Sequence, residues 1–383
     1  MDLSKKVFLI LFCLLGYLPS VHAQYEHVPD SLELAFLPAL AFNSDLGLIA
    51  GGLINWYHYK DEVKPYYSYT NIAGVFSTRG LASFEISRNK PNVFGTKFRI
   101  YTSIYASRFF EDAYLGIGNY GKLPEAPANT PNYYEFQSFS MGLTARARYP
   151  LFVNVKEQQL DVLAIINFDY ETPWDNGSSR LLSIDRPTGF DGGRTFMFGA
   201  GLVWEARNSE FNPTRGTYLN TSIEQGSKIW GSNFNTFVWK HEMSHYLTFH
   251  IIRDITFANR VYLKHTSGEV PYWKLSYLGD EETLRGYQSK RFLDDNAFVL
   301  NNELRTWLFE IPSLEMRLGG TLFFDIGRTF ANGTSFDTIT NDLKYTFGLG
   351  GTASFFTPDF IIRTDVGFSE EDFGVYITTG YLF

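Results

Sequence analysis

Cysteine is nearly absent from this chain: its 383 residues hold one, Cys13, and that one lies in an apolar N-terminal run. A chain that sheds this run keeps no thiol, which excludes disulfides, thiolate metal sites and cysteine nucleophiles. Beyond that run no stretch of 18 apolar residues occurs, so no helix is expected to cross a membrane. An excess of basic charge is missing as well. Thirty-three Lys and Arg stand against 41 Asp and Glu, a net charge of −8, which argues against general affinity for nucleic acid. Nor is there a Pro/Ser linker, a low-complexity tract or a composition break after residue 31, so nothing divides the chain into domains.

What is present is aromatic. Phe (36) and Tyr (24) bring aromatics to 17%, yet hydrophobic residues stay at 44% and the mean hydropathy is −0.15. Apolar residues are therefore abundant but interleaved with polar ones, the pattern of strands with lipid on one face and water on the other. At the N-terminus Lys5 and Lys6 precede the apolar run Val7 to Leu18, and Val21-His22-Ala23 offers a peptidase site before Gln24. Residues 1–23 thus read as an export signal and 24–30 as a short segment, leaving 31–383 as a single barrel of the bacterial outer membrane.

Sixteen segments of period-2 character follow, each near the 9 to 11 residues or so that a tilted strand needs to span hydrocarbon. They fall at 31–42, 45–58, 66–77, 80–89, 95–107, 134–149, 157–171, 193–207, 216–226, 233–248, 254–266, 295–309, 314–328, 342–356, 359–368 and 373–383. The fold class is all-β, a sixteen-stranded antiparallel transmembrane barrel. If the first strand rises from the periplasm, every long connection (108–133, 172–192, 267–294 and 329–341) is external and the alternate ones are short turns, as outer-membrane barrels require.

Alternation also sorts the faces. Phe196, Phe198, Ala200, Leu202 and Trp204 share one side, Gly199, Gly201, Glu205 and Arg207 the other. In the same way Asn301, Glu303, Arg305, Asp325, Arg363 and Asp365 turn inward, against outward Phe298, Leu300, Leu304, Leu308, Leu322, Phe324 and Ile326. A charge at the lipid midplane costs about 2–4 kcal/mol, so charges repeated on one parity call for a wet or ion-paired lumen. Tyr66, Tyr67, Tyr133, Tyr134 and Trp273 stand near strand ends and are expected as anchors at the membrane interface.

Four stretches together carry a resemblance. Trp204 to Leu219 contains Asn212-Pro213-Thr214-Arg215-Gly216, where Pro and Gly suit a tight periplasmic turn. Leu284-Arg285-Gly286-Tyr287 lies in the longest external connection, Asn302-Glu303-Leu304-Arg305 on the strand after it, and Phe323-Phe324-Asp325-Ile326-Gly327 on the next. In this order they resemble the BamA/TamA-type outer-membrane barrel superfamily, also called bacterial surface antigen barrels. The last residues, Phe373 to Phe383 with Tyr381 and the terminal Phe383, look like the C-terminal signal by which such barrels are recognised for insertion.

The resemblance implies a long external loop folded back into the lumen, with Arg285 contacting Asp325 on the inner wall. An arginine fork can bind a carboxylate through two parallel hydrogen bonds. Gly286 would let the backbone approach the wall, Tyr287 would pack there, and Glu303 is a second acceptor. It implies a role in outer-membrane protein assembly, insertion or translocation. Family members carry periplasmic POTRA domains, and Gln24 to Asp30 are too few for one, so a separate periplasmic POTRA-type or accessory protein is the expected partner. Two other readings remain open: a loop-gated channel or transporter for small solutes or lipids, and a surface-exposed structural or adhesive antigen. Phospholipid and lipopolysaccharide would contact the outer wall, a homodimer is compatible with it, and no nucleic acid, cofactor or metal is expected.

His241-Glu242-Met243-Ser244-His245 matches the H-E-x-x-H of zinc proteases, which relies on a helix to bring i and i+4 together. Here Phe237, Val238, Trp239, Tyr246 and Phe249 mark a strand, where four residues span roughly 13 Å and Glu242 points away from both histidines. A Ser/His lipase at the wall fails likewise, because Ser244 alternates to the other face. No catalytic residues are expected.

Overall fold

The computed structural model describes residues 32–60, 63–123, 125–128, 130–154, 158–174, 179–312, 316–355 and 361–383. The expected export signal, 1–23, and the segment 24–30 lie outside the described residues. In chain order the strands begin with β1 (Leu32–Asn43), β2 (Gly47–Lys60), β3 (Val63–Ser77), β4 (Leu81–Lys90), β5 (Arg99–Ala113) and β6 (Glu135–Val153). There follow β7 (Gln159–Trp174), β8 (Gly193–Glu205), β9 (Gly216–Gly226), β10 (Thr236–His250), β11 (Asp254–Gly268), β12 (Ser276–Leu278) and β13 (Phe292–Asp294). The last are β14 (Asn296–Ile311), β15 (Met316–Phe330), β16 (Lys344–Phe355), β17 (Ile361–Phe368) and β18 (Phe373–Thr379).

Sixteen of these close into one antiparallel barrel in the order β1-β18-β17-β16-β15-β14-β11-β10-β9-β8-β7-β6-β5-β4-β3-β2. Every expected strand is there, because each keeps one apolar parity. On β15 the outward Leu322 and Phe324 are 61% and 43% exposed, while Phe323 and Asp325 on the other parity are 5% and 0% exposed. The barrel thus presents an exposed apolar face outward and a buried, largely polar one inward. One inward patch departs from the polar lumen: Leu163, Ile165 and Val203 form a small buried apolar cluster on β7 and β8.

Two short strands were not anticipated. β12 and β13 pair with each other inside the connection from β11 to β14 and stand apart from the barrel sheet. The last strand also ends early, at Thr379 rather than 383. Gly380 takes a positive φ of 76° while its N–H still donates to the carbonyl of Ile361 at 2.8 Å. The chain then leaves the wall, and Tyr381 and Phe383 place their rings 4.0 and 4.9 Å from the inward Arg305 guanidinium.

The long connections converge at one end. Tyr114, Tyr133, Phe136, Leu181, Leu182, Val270, Tyr272, Leu275 and Leu293 bury one another there in a dome of loops. Tyr133, Tyr134 and Trp273 belong to this packing, which corrects their reading as interface anchors. Alternation does not extend into a loop, so it cannot distinguish a ring facing lipid from one facing another loop.

Candidate functional site

The loop from Gly279 to Arg291 is knotted before it meets the wall. Asp280 Oδ1 accepts from the N–H groups of Glu282 and Thr283, both at 2.9 Å, and from Thr283 Oγ1 at 2.8 Å. Leu284, Tyr287 and Phe292 pack with Leu278 against Ala297 and Val299 of β14, an apolar collar beside the charged residue that stands between Leu284 and Tyr287.

That residue, Arg285, is fully buried and spends its guanidinium on three strands. Nε and Nη2 donate to Asp325 of β15 at 2.9 and 2.8 Å, a bidentate fork. Nη1 donates to Glu303 of β14 at 2.6 Å and to Asp365 of β17 at 3.1 Å. The Phe323 ring lies 3.5 Å from the guanidinium carbon, a cation–π contact strengthened by the burial of both side chains. Three carboxylates around one arginine would repel, but Arg305 reaches Glu303 at 2.7 Å and Arg363 lies 3.1 Å from Asp365. The cluster is thus three cations to three anions, the balance that buried charge requires. Asn301 ties it to the loop backbone, donating to the Thr283 carbonyl at 2.8 Å and to Asp325 at 2.9 Å.

Gly286 sits at φ 109°, and a Cβ there would lie 2.9 Å from the carbonyl carbon of Gly367 on β17. A Cβ on Gly367 would in turn lie 2.5 Å from the Arg285 carbonyl oxygen. Two backbones touch here, and only glycine fits on either side. The Gly286 N–H donates to the Tyr376 hydroxyl at 3.0 Å, and Ser369 Oγ donates to the Gly286 carbonyl at 3.0 Å. Tyr287 stacks edge to face on Phe292 at 5.0 Å. Glu281 accepts from Asn43 Nδ2 at 2.5 Å.

These last bonds gain weight from the closure of the barrel. β14 and β15 share a register from Asn296 opposite Phe330 to Ile311 opposite Met316. β1 and β18 share a single residue pair, Asn43 opposite Tyr376. Those two residues are the ones that Glu281 and Gly286 hold. Two further bonds flank the pair, Ser44 N–H to the Val375 carbonyl at 3.1 Å and Val375 N–H to Ser44 Oγ at 2.8 Å.

Burial pushes the Asp280 carboxyl up to about 8, with Glu281 and Glu282 adding to it. Burial likewise raises Asp45, in the turn after β1, to about 6.

The Asn212 to Gly216 turn lies at the short-turn end, where Asn212 to Arg215 line a space together with Arg305. Asn208 Oδ1 caps it by accepting from the N–H groups of Thr214 and Arg215 at 3.0 and 2.9 Å, and Gly216 adopts φ 111°. Of the H-E-x-x-H residues, Ser244 on β10 is buried and Glu242 lies 3.3 Å from Arg260 Nε, on the parity opposite to His241 and His245. Sequence reasoning turned Asn301 and Asp365 inward but assigned neither to the Arg285 cluster, and it missed Asn43, Glu281, Gly367 and Tyr376. Parity was visible for those on strands, whereas their meeting depends on strand stagger.

Comparison with curated proteins returns no match. Among solved structures the chain is similar to BamA from Haemophilus ducreyi lacking POTRA domains 1-3, with a TM-score of 0.60 at 13% identity, covering 92% of this chain and 70% of that one. It is similar too to CdiB from Escherichia coli (TM-score 0.62, 13% identity, 92% and 64%) and CdiB from Acinetobacter baumannii (0.55, 12%, 92% and 66%). At such identities the likeness is one of fold, and the chain spans slightly under two thirds of the CdiB chains. The Omp85 superfamily domain matches residues 70–380, most of the sequence, and the chain belongs to the Omp85 superfamily.

Proposed function

We propose that this protein is an integral outer-membrane barrel that assists the insertion or translocation of polypeptides, exported by residues 1–23 and served by separate periplasmic partners. The observation that carries this reading is the seam: β1 pairs with β2 along all twelve of its residues and with β18 at one. In hydrocarbon a backbone N–H or C=O without a partner costs several kcal/mol, which is why spanning sheets normally close completely. An edge left incomplete is a template for another strand, and a client chain that added there would satisfy groups the barrel leaves open. The loop bearing Arg285 acts as the clasp in this scheme. Docked on Asp325, Glu303 and Asp365, it holds Asn43 and Tyr376 together; released, it leaves the seam with little of its own.

The orientation supports a lateral route. The packing of the loops over the long-loop end, taken as external, favours this route over a straight path through the lumen, so the solute-channel reading has less behind it.

The test is a reversible lock. Cysteines replacing Ser44 and Val375 would join the seam in a chain whose only other cysteine is Cys13. Liposomes bearing the protein, with its periplasmic partner if one is identified, would be scored for assembly of a small test barrel. The expected result is loss of assistance when the pair is oxidised and recovery on reduction. Undiminished assistance by the oxidised protein would overturn the lateral mechanism.

A further inference from the structure

The short-turn end, periplasmic in the orientation proposed above, holds a cavity of about 690 Å3. Arg215, Arg253, Arg305, Arg317 and His250 line it, with Asp254 the one carboxylate among the described residues. That carboxylate is already engaged, 2.8 Å from His250 Nδ1. Among the described residues Arg215, Arg253 and Arg317 form no ion pair. A chain of net charge −8 has therefore gathered four guanidinium groups around one space, which is not its background composition.

The guanidinium groups are positioned. Arg317 stacks on Trp307 at 4.7 Å, and Arg253 Nη1 donates to the Leu308 carbonyl. Arg305 is 3% exposed; its Nε is bound to Glu303 at 2.7 Å and its Nη2 to the main-chain oxygen of Phe383 at 3.1 Å. Its Nη1, by contrast, is buried with no hydrogen-bond partner among the described residues. A buried charged donor left unsatisfied is costly, so its occurrence on a cavity wall points to an acceptor that belongs there.

We propose that this vestibule binds a phosphate group, carried by a lipid headgroup or by a soluble phosphate ester. Arginine forks match the oxygens of phosphate and carboxylate alike. Arg215, Arg253 and Arg317, with one engaged acid among the described residues, exceed what a single carboxylate neutralises, whereas a phosphate monoester brings about 1.5 to 2 negative charges and three acceptor oxygens. The site does not depend on what crosses the seam: it sits at the opposite end of the lumen from the Asn43–Tyr376 clasp, and its occupancy is read without any client.

The experiment uses the full-length protein in non-ionic detergent, with phosphorus NMR titration of glycerol 3-phosphate and, separately, of a short-chain phosphatidic acid. The comparison variant is Arg253→Gln with Arg317→Gln, which spares the Arg305–Glu303 pair, its fold checked by circular dichroism. Saturable binding that weakens at least tenfold in the double variant and falls with added salt supports the site. Binding by glycerol 3-phosphate assigns a soluble ester, and binding by the lipid alone assigns a headgroup. No saturable binding of either probe, or equal binding by the double variant, overturns the proposal. An acidic peptide that binds where both phosphates fail would overturn it in favour of a polypeptide ligand.

Discussion

The β14–β15 pair and the β1–β18 pair belong to the same closed barrel, two strands apart, yet they are held by different physics. The first is a ladder, fifteen residue pairs from Asn296–Phe330 to Ile311–Met316 with one bulge at Trp307/Phe309. The second has one pair and relies on a loop from elsewhere in the chain. A ladder fails only when many bonds fail together, whereas a clasp fails when its anchor does. Both regions meet at Arg285, whose carboxylate partners belong to β14, β15 and β17 and whose neighbours Glu281 and Gly286 grip the seam. The robust wall is thus the foundation for a joint that can open.

The comparison is broken most severely by Arg285→Ala. Removing the cation leaves Glu303, Asp325 and Asp365 with Arg305 and Arg363 alone, and stripping one partner from a buried ion cluster costs about 3–5 kcal/mol. The expected outcome is a large fall in the urea midpoint of the detergent-solubilised barrel, with the loss from Arg285→Ala and Asp325→Ala together well short of additive. Next comes Gly367→Ala. Its Cβ would meet the Arg285 carbonyl at 2.5 Å, so about 1–3 kcal/mol of overpacking should displace the loop while the β16–β17 ladder survives. Limited proteolysis of the 279–291 loop would report it.

Tyr376→Phe is a finer cut. It removes the acceptor of the Gly286 N–H and leaves that group buried, a cost on the order of 1–2 kcal/mol that should raise amide exchange in β18 but not in β15. The gentlest probe is pH. Asp280 and Asp45 have docked values raised to about 8 and about 6, above the ordinary carboxyl value of 3.8. The docked loop therefore binds protons that the released loop gives up, and its contribution is full below about 4 and is lost as pH rises through about 6 and then about 8. Protease sensitivity of the loop should climb across that window, and Asp280→Asn should flatten its upper part.

Much of this was legible in the residues. Outward Leu304, Leu322 and Phe324 alternating with inward Glu303 and Asp325 are enough to place strands and faces, because a strand has a period of two and each face one solvent. The Arg285 loop stood out by its two flanking glycines. Asp365 and Tyr376 were assigned to strands but not to their partners, since contacts between distant strands depend on stagger, which parity does not encode. β12 and β13 are three residues each, too short for any period to show. The turn of Tyr381 into the lumen depends on Gly380 and on Arg305, 76 positions earlier in the chain. The seam was invisible for a similar reason: β1 has the composition of a fully paired strand, and its single pairing with β18 is a property of register.

The measurement closest to the central claim is a pair of distances by pulsed electron spin resonance. Spin labels at Phe42 and Ile377, one step beyond the Asn43–Tyr376 pair, report on the seam, and labels at Leu304 and Leu322, register partners on the ladder, serve as the reference. With Arg285 present both pairs should show one short, narrow distance. In Arg285→Ala the seam distance should lengthen and broaden while the ladder distance stays as it was. A seam distance unmoved by loss of Arg285, or both distances changing alike, would contradict the claim that this loop holds the barrel closed.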